Sequence, residues 1–212
     1  MTDPRHSFAE KREPSDDRLF APAAARNVGP IIDALVPHLP QKGLVLEVAS
    51  GTGEHVIALA EATPHLSWQP TDLDPERLKS IAAWITHASA SNIKAPIAFD
   101  AIKTPWPGEP ANALFLANLL HLISEADALA LLANLASALK PEGVLTLYGP
   151  FKRGEDYASE GDQRFDAAIR AERPSAGYKS IDWVEKQCME NKLTRIVQIS
   201  LPANNLMTLW RR

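Results

Sequence analysis

Leu44-Val45-Leu46-Glu47-Val48-Ala49-Ser50-Gly51-Thr52-Gly53 is the passage on which the fold turns. Leu44 to Val48 is a short apolar run of strand-forming residues. It breaks into a turn with glycines at alternate positions, and His55 to Ala62 resumes with helical periodicity. A strand that feeds a helix through such a turn opens a parallel α/β sheet, and the alternation continues downstream. Leu66 to Gln69 reads as a second strand, ended by Pro70-Thr71-Asp72. Asp74-Pro75-Glu76 opens a helix that turns Leu78, Ile81, Ala82 and Ile85 inward. Ala95 to Phe99 reads as a third strand closing at Asp100, and Ala113 to Ala117 as a fourth after a proline-rich loop. Ser124 then caps a long Ala/Leu helix that Lys140-Pro141-Glu142-Gly143 ends, and Val144 to Tyr148 is a fifth strand. Phe165 to Ala171 and Ile181 to Glu190 read as helices. Thr194–Leu201 and Leu206–Trp210 flank only Pro202-Ala203-Asn204-Asn205, too short a link for a parallel crossover, so they form an antiparallel hairpin. The fold class is α/β: a doubly wound, mostly parallel Rossmann-like sheet of about seven strands, with that hairpin at one edge.

Upstream, Val28, Ile31, Ile32, Leu35 and Val36 recur at helical spacing, with Pro30 near the start and Pro37 and Pro40 as the stop. Residues 1–18 are mostly polar, and residues 1–25 read as an N-terminal arm or lid on a single domain spanning 1–212. The composition, 212 residues at 45% hydrophobic and 23% charged, suits one packed domain and excludes a disordered or fibrous chain. No apolar run approaches the roughly 18–20 residues that span a bilayer, and the first residues lack the apolar core of a secretory signal. A lone Cys188 excludes an internal disulfide and points to a reducing cytoplasm. A formal charge of −4 argues against a broad nucleic-acid-binding face. The histidines show no ligand spacing, so no metal is expected.

Open α/β sheets bind ligands at the carboxyl ends of their strands, which directs attention to Glu47–Gly53. That segment is either a ligand cradle or a tight turn alone. Asp72 stands 21 residues after Gly51, near the spacing of roughly 20 expected of an acid that accepts ribose hydroxyls. Asp74 is its neighbouring rival but also reads as a helix cap. Asp100 either faces the same cleft or caps its own loop. A dinucleotide fingerprint would need Gly or Ala where Gly51 leads to Val56 and Ala49 leads to Glu54, an anion at the pyrophosphate position. Both registers disfavour NAD and an NAD-dependent oxidoreductase. Neither a P-loop nor a Gly-x-Ser-x-Gly elbow is present.

The ordered set Glu47…Gly51-x-Gly53, Asp72, Asp100 and Leu139-Lys140-Pro141-Glu142-Gly143-Val144-Leu145 resembles the class I S-adenosylmethionine-dependent methyltransferase superfamily, over roughly residues 44–150. More narrowly, Phe20-Ala21-Pro22-Ala23-Ala24-Ala25-Arg26-Asn27, Trp68-Gln69-Pro70-Thr71-Asp72, Tyr148-Gly149-Pro150-Phe151-Lys152 and Pro202-Ala203-Asn204-Asn205 are similar to an uncharacterised methyltransferase-like family across nearly the whole chain. The resemblance implies S-adenosylmethionine as cofactor. Glu47, Ala49, Ser50, Gly51 and Gly53 would surround its methionine part, Asp72 with Leu73 its ribose, and Asp100 with Ala101 its adenine. Asn118 would line the pocket. Ala49 departs from the family's pattern, which has glycine there. The Asn/Asp-Pro-Pro-Tyr/Phe motif of amino-methylating relatives is absent, replaced by Ala117-Asn118-Leu119-Leu120-His121. A compact chain without an added module points to a small-molecule acceptor. The alternative is a cofactor-binding protein that has lost transfer.

Methyl transfer needs an acceptor held in line and, for some acceptors, a base. His121 either serves as that base or packs a helix start. Tyr148 either orients an acceptor hydroxyl or is a strand-end aromatic. Arg26 either pairs with the cofactor carboxylate or is a surface arginine, and Phe20 would close the site. Asn27, Tyr148, Lys152 and Asn204 are acceptor-side candidates, Asn204 also reading as a turn residue. Lys152-Arg153, if it faces the cleft, favours an anionic substrate.

Overall fold

Strand alternation packs the two faces of one sheet into separate cores, and the computed structural model, which describes residues 11–12 and 16–212, shows how. Two short antiparallel pieces, β1 (Lys11–Arg12) and β2 (Leu19–Phe20), precede α1 (Pro22–Leu35). The repeating units follow: β3 (Gly43–Val48), α2 (Glu54–Ala62), β4 (Leu66–Asp72), α3 (Pro75–His87), β5 (Ile97–Ala98), β6 (Ala111–Ala117), α4 (Glu125–Ser137) and β7 (Leu139–Pro150). Helices α5 (Glu160–Glu172) and α6 (Ile181–Glu190) lead to the hairpin of β8 (Thr194–Ser200) and β9 (Asn205–Arg211).

The main sheet has the order β5-β4-β3-β6-β7-β9-β8. Its first five strands are parallel, and β9 pairs antiparallel with both β7 and β8. Strand order reverses between β3 and β6, which opens the ligand crevice at their carboxyl ends. Because side chains alternate along a strand, Leu46, Leu114, Leu116, Leu145 and Leu147 pack with Leu131, Leu135, Val184 and Cys188 from α4 and α6. Val45, Phe115 and Tyr148 face the other way, against Ile31, Leu35, Val56 and Ile81 from α1, α2 and α3.

Several boundaries differ from expectation. The arm placed over 1–25 gives way to helix at Pro22, and Pro30 lies inside α1 rather than near its start. There its ring nitrogen withdraws the hydrogen bond an amide would give to the Arg26 carbonyl. Lys140–Gly143 does not end α4, which stops at Ser137. It forms an irregular entry into β7, with Glu142 at φ 63° and its amide bonded to the Arg212 carbonyl. The third strand shortens to Ile97–Ala98, an edge piece held by Thr71 and Asp72. In the hairpin turn Ala203 and Asn204 both have left-handed φ, 56° and 58°, matching the primed turns that suit twisted strands.

Candidate active site

The turn after β3 is pinned before any ligand arrives. The Ser50 amide donates to the Thr71 carbonyl at 2.8 Å, the Thr71 amide to Ser50 Oγ at 3.2 Å, and Ser80 Oγ to the Thr52 carbonyl at 2.7 Å. Asp72 ties the two strand ends together. Its Oδ2 accepts from the Gly51 amide at 2.9 Å, and its Oδ1 from the amides of Leu73 and Asp74 at 2.7 and 3.0 Å. A carboxylate offers about four acceptor positions, so Asp72 keeps one for a ligand. Asp74 instead caps α3 through the amides of Glu76 and Arg77. Glu54, in the first turn of α2, accepts from Thr52 Oγ1 and from the Ala21 amide, which anchors the chain entering α1.

Glu47 projects from the same strand end and is 2% exposed, with Oε2 lacking any hydrogen-bond partner. Burial pushes its pKa up to about 8, against a lowering contribution from Ser50 and with the Asp72 charge adding to the rise. An orphaned carboxyl oxygen in a dry site suits a cationic ligand group.

Three cavities run along the carboxyl ends of the strands. One of about 40 Å³ is lined by Asp72, Leu73, Asp100 and Ala101. A second, about 160 Å³, is lined by Glu47, Ser50, Gly51 and His55, and shares Val48, Ala49, Arg77 and Leu119 with the first. The third, about 710 Å³, holds Arg26, Asn27, His121, Asp162, Phe165 and Tyr178, and shares Ala23, Asn118 and Leu122 with the second. Shared linings make them one trench, with Asn118 at its neck. Asn118 has φ 55° and its amide donates to the Tyr148 carbonyl at 2.8 Å, which fixes it in a conformation that asparagine tolerates.

The outer wall is built from distant sequence. Asp166 on α5 accepts from Tyr157 OH at 2.6 Å, Arg170 Nε at 2.8 Å and the Tyr178 amide at 2.5 Å. Burial raises its pKa, but these donors outweigh that and hold it below the usual range. The rings of His121, Phe165 and Tyr178 lie 5.9 to 6.2 Å apart by centroid. Lys179, buried, donates to the carbonyls of Ile123 and Gly177, and burial draws its pKa down to about 8. His121 falls to about 3 through burial, the Lys179 charge adding to the fall and Asp166 opposing it. It is therefore neutral, and no described residue hydrogen-bonds to its ring.

The residues expected at the site divide accordingly. Glu47, Ala49, Ser50, Gly51, Asp72, Leu73, Asp100, Ala101 and Asn118 line the first two cavities. Gly53 does not. It is the N-cap of α2 at φ 100°, and a Cβ there would press to 3.1 Å of Ile81 Cα. Arg26 lines the third cavity rather than the second, with Asn27 and His121. Tyr148 lines none of the three; β7 turns it toward α1, where the Asn27 side chain approaches its buried hydroxyl and burial raises its pKa. Phe20 stacks edge-on against Trp84 at 5.0 Å, away from the cavities. Lys152 lies over the Tyr157 ring at 4.8 Å, and Arg153 bonds the carbonyls of Phe151 and Asn204. Asn204 holds Asp162 Oδ2 at 2.9 Å while its neighbours Ala203 and Asn205 line the cavity. Phe165, Tyr178 and Asp162 escaped the sequence reading because only the Asp166 and Asn204 contacts, long in sequence, bring them to the trench. Arg77 had a visible signal, standing one step past the Asp-Pro-Glu helix start at a strand's carboxyl end.

Among the described residues no three His, Cys, Asp or Glu side chains group as a metal site, and no helix is long and apolar enough to cross a membrane. A protein family match spans residues 18–212, and that family is described as "Protein of unknown function (DUF938)". An O-methyltransferase, pgmB, of Aspergillus terreus is 29% identical over 103 residues, covering 48% of this chain and 29% of that protein. Among solved structures, an O-methyltransferase family 2 protein from Planctomyces limnophilus in complex with apigenin superposes with a TM-score of 0.77 at 19% identity. It covers 90% of this chain and 60% of that one. Human N-acetylserotonin methyltransferase in complex with SAM gives 0.76 at 16% identity, covering 90% and 52%. The chain thus spans little more than half the length of these structures. At such identities the likeness establishes the fold alone, a doubly wound α/β sheet edged by an antiparallel hairpin.

Proposed function

The chain belongs to the DUF938 family, which is defined without a function, and from that premise we propose that it is an S-adenosylmethionine-dependent methyltransferase acting on a small-molecule acceptor. The observation that carries this reading is the row of three cavities joined by shared lining residues. Its inner part offers the acids and backbone turn a sulfur nucleoside needs, and its outer part is large enough for a second molecule. A volume of about 710 Å³ lies within the range of small-molecule sites. The solved structures support the same cofactor and a hydroxyl acceptor: one is of a methyltransferase with SAM, the other of an O-methyltransferase family 2 protein with apigenin. The buried thiol of Cys188 accords with a reducing, cytoplasmic setting.

The residues present fit the cofactor. Asp72 has an acceptor position left for ribose hydroxyls, and Asp100 and Ala101 close the end suited to adenine. Glu47 faces the part where an ammonium or sulfonium would lie, which resolves its orphaned oxygen. Held by these residues, S-adenosylmethionine would supply an activated methyl group for an acceptor hydroxyl. Asn118, at the neck, sits where donor and acceptor meet and fixes their alignment. His121, held neutral, is too weak a base to take the hydroxyl proton; it walls the acceptor side and adds no positive charge against the sulfonium.

Isothermal titration with S-adenosylmethionine, S-adenosylhomocysteine and NAD in parallel tests the reading. Binding of both sulfur nucleosides and not NAD is expected. Binding of neither sulfur nucleoside by folded protein overturns it.

A further inference from the structure

Resting on that reading of the trench, we propose that the acceptor is a planar acid: an aromatic small molecule whose carboxylate is held by Arg26 while its ring lies along Phe165 and Tyr178. Arg26 is exposed, lines the third cavity, and has neither a hydrogen bond nor an ion pair among the described residues. Every other arginine whose side chain is described has a partner. Near this cavity, Arg170 is paired with Asp166 at 2.8 Å and Arg153 is bonded to the Asn204 carbonyl at 3.0 Å.

The other charged group of the cavity already has protein partners on both oxygens. Asp162 accepts from Ser159 Oγ at 2.7 Å, Asn204 Nδ2 at 2.9 Å and Tyr178 OH at 3.4 Å. The charged group of the outer trench that lacks a protein partner among the described residues is therefore the Arg26 guanidinium, whereas the inner part carries the Asp72 carboxylate and Glu47, an acid that a cation would ionise. That polarity sorts the two ligands: the sulfonium toward the acids, an anion toward the guanidinium. A guanidinium matches a carboxylate through two parallel hydrogen bonds, and a wall of aromatic rings favours a flat apolar body. Lys152 and Arg153, the cations the sequence offered for an anionic substrate, are turned to Tyr157 and to backbone carbonyls.

The test titrates the full chain, saturated with S-adenosylhomocysteine, with 3,4-dihydroxybenzoate and with its neutral methyl ester, in wild type and in Arg26→Gln. The acid is expected to bind wild type about tenfold more tightly than the ester, a difference the variant erases, while S-adenosylhomocysteine affinity stays within about twofold. Equal binding of acid and ester to wild type overturns the proposal, as does a preference that survives in Arg26→Gln. A variant that instead loses S-adenosylhomocysteine affinity assigns Arg26 to the cofactor's own carboxylate and overturns it too. Failure of both probes on protein that binds S-adenosylhomocysteine rejects the planar acid alone. Failure of wild type to bind S-adenosylhomocysteine rejects the methyltransferase reading beneath it.

Discussion

Ala49 occupies φ 56°, a left-handed conformation that costs an L-residue roughly 1–2 kcal/mol. Glycine avoids that cost but loses more chain entropy on folding. Ala49→Gly is therefore expected to stabilise the fold by about 0.5–1 kcal/mol net, read as a higher urea midpoint at unchanged slope. Glu47 supplies a pH-dependent term. Burial lifts its folded pKa from the ordinary carboxyl range to about 8, so its contribution is fully present below its unfolded pKa and is lost as pH rises through about 8. Glu47→Gln mimics the neutral form. Its stability should match wild type near pH 5 and exceed it near pH 9, as urea denaturation at the two pH values would show. A cationic ligand reverses the preference and ionises the carboxyl. Titration of S-adenosylmethionine at pH 7, in buffers of different ionisation enthalpy, should then register release of up to about one proton. Neither residue's strain was visible in its spelling: Ala49 stood out only as a departure from glycine, and Glu47 only as an acid at a strand end.

At the scale of elements, α5 and the loop after it owe their placement to Asp166, which joins Tyr157, Arg170 and the Tyr178 backbone. Asp166→Ala removes the shared acceptor and leaves the Tyr178 amide unpaired, a loss on the order of 2–4 kcal/mol. The inner trench does not use Asp166. S-adenosylhomocysteine affinity should persist in the folded variant while acceptor KM rises, and a matched fall in both affinities would contradict that division. The repeating strands and helices from β3 to β7 were legible because hydrophobic period and capping residues agree there, Asp74 and Ser124 being clear helix starts. Where local signals conflicted, boundaries shifted. Prolines suggested a late start for α1, yet Pro22 opens it and Pro30 is carried inside by burial of Ile31 and Leu35. Lys-Pro-Glu-Gly looked like a stop, but pairing with the chain end at Arg212 draws it into β7.

For the molecule as a whole, the inner lining of the trench was legible nearly residue by residue, and the outer lining only in part, at Arg26, Asn27, Asn118 and His121. The former is written in one strand-turn-helix unit and the next strand's end. The latter is assembled from α1, the loop after β6, α5 and the β8–β9 turn. Ligand occupancy should tie these parts together thermodynamically. S-adenosylhomocysteine at 100 times its dissociation constant adds about 2.7 kcal/mol to the folded state, enough to raise Tm by roughly 5–10 °C for a chain of this size. A scan without and with ligand checks it, and an unmoved Tm at saturation would contradict it. The narrow junction at Asn118 has a consequence for inhibitor chemistry. A sulfur nucleoside covalently joined through a short linker to an aromatic body would occupy both chambers at once. Its second half would then bind at an effective concentration in the millimolar range, so avidity would exceed that of either half alone by about 10²–10⁴ without any new contact.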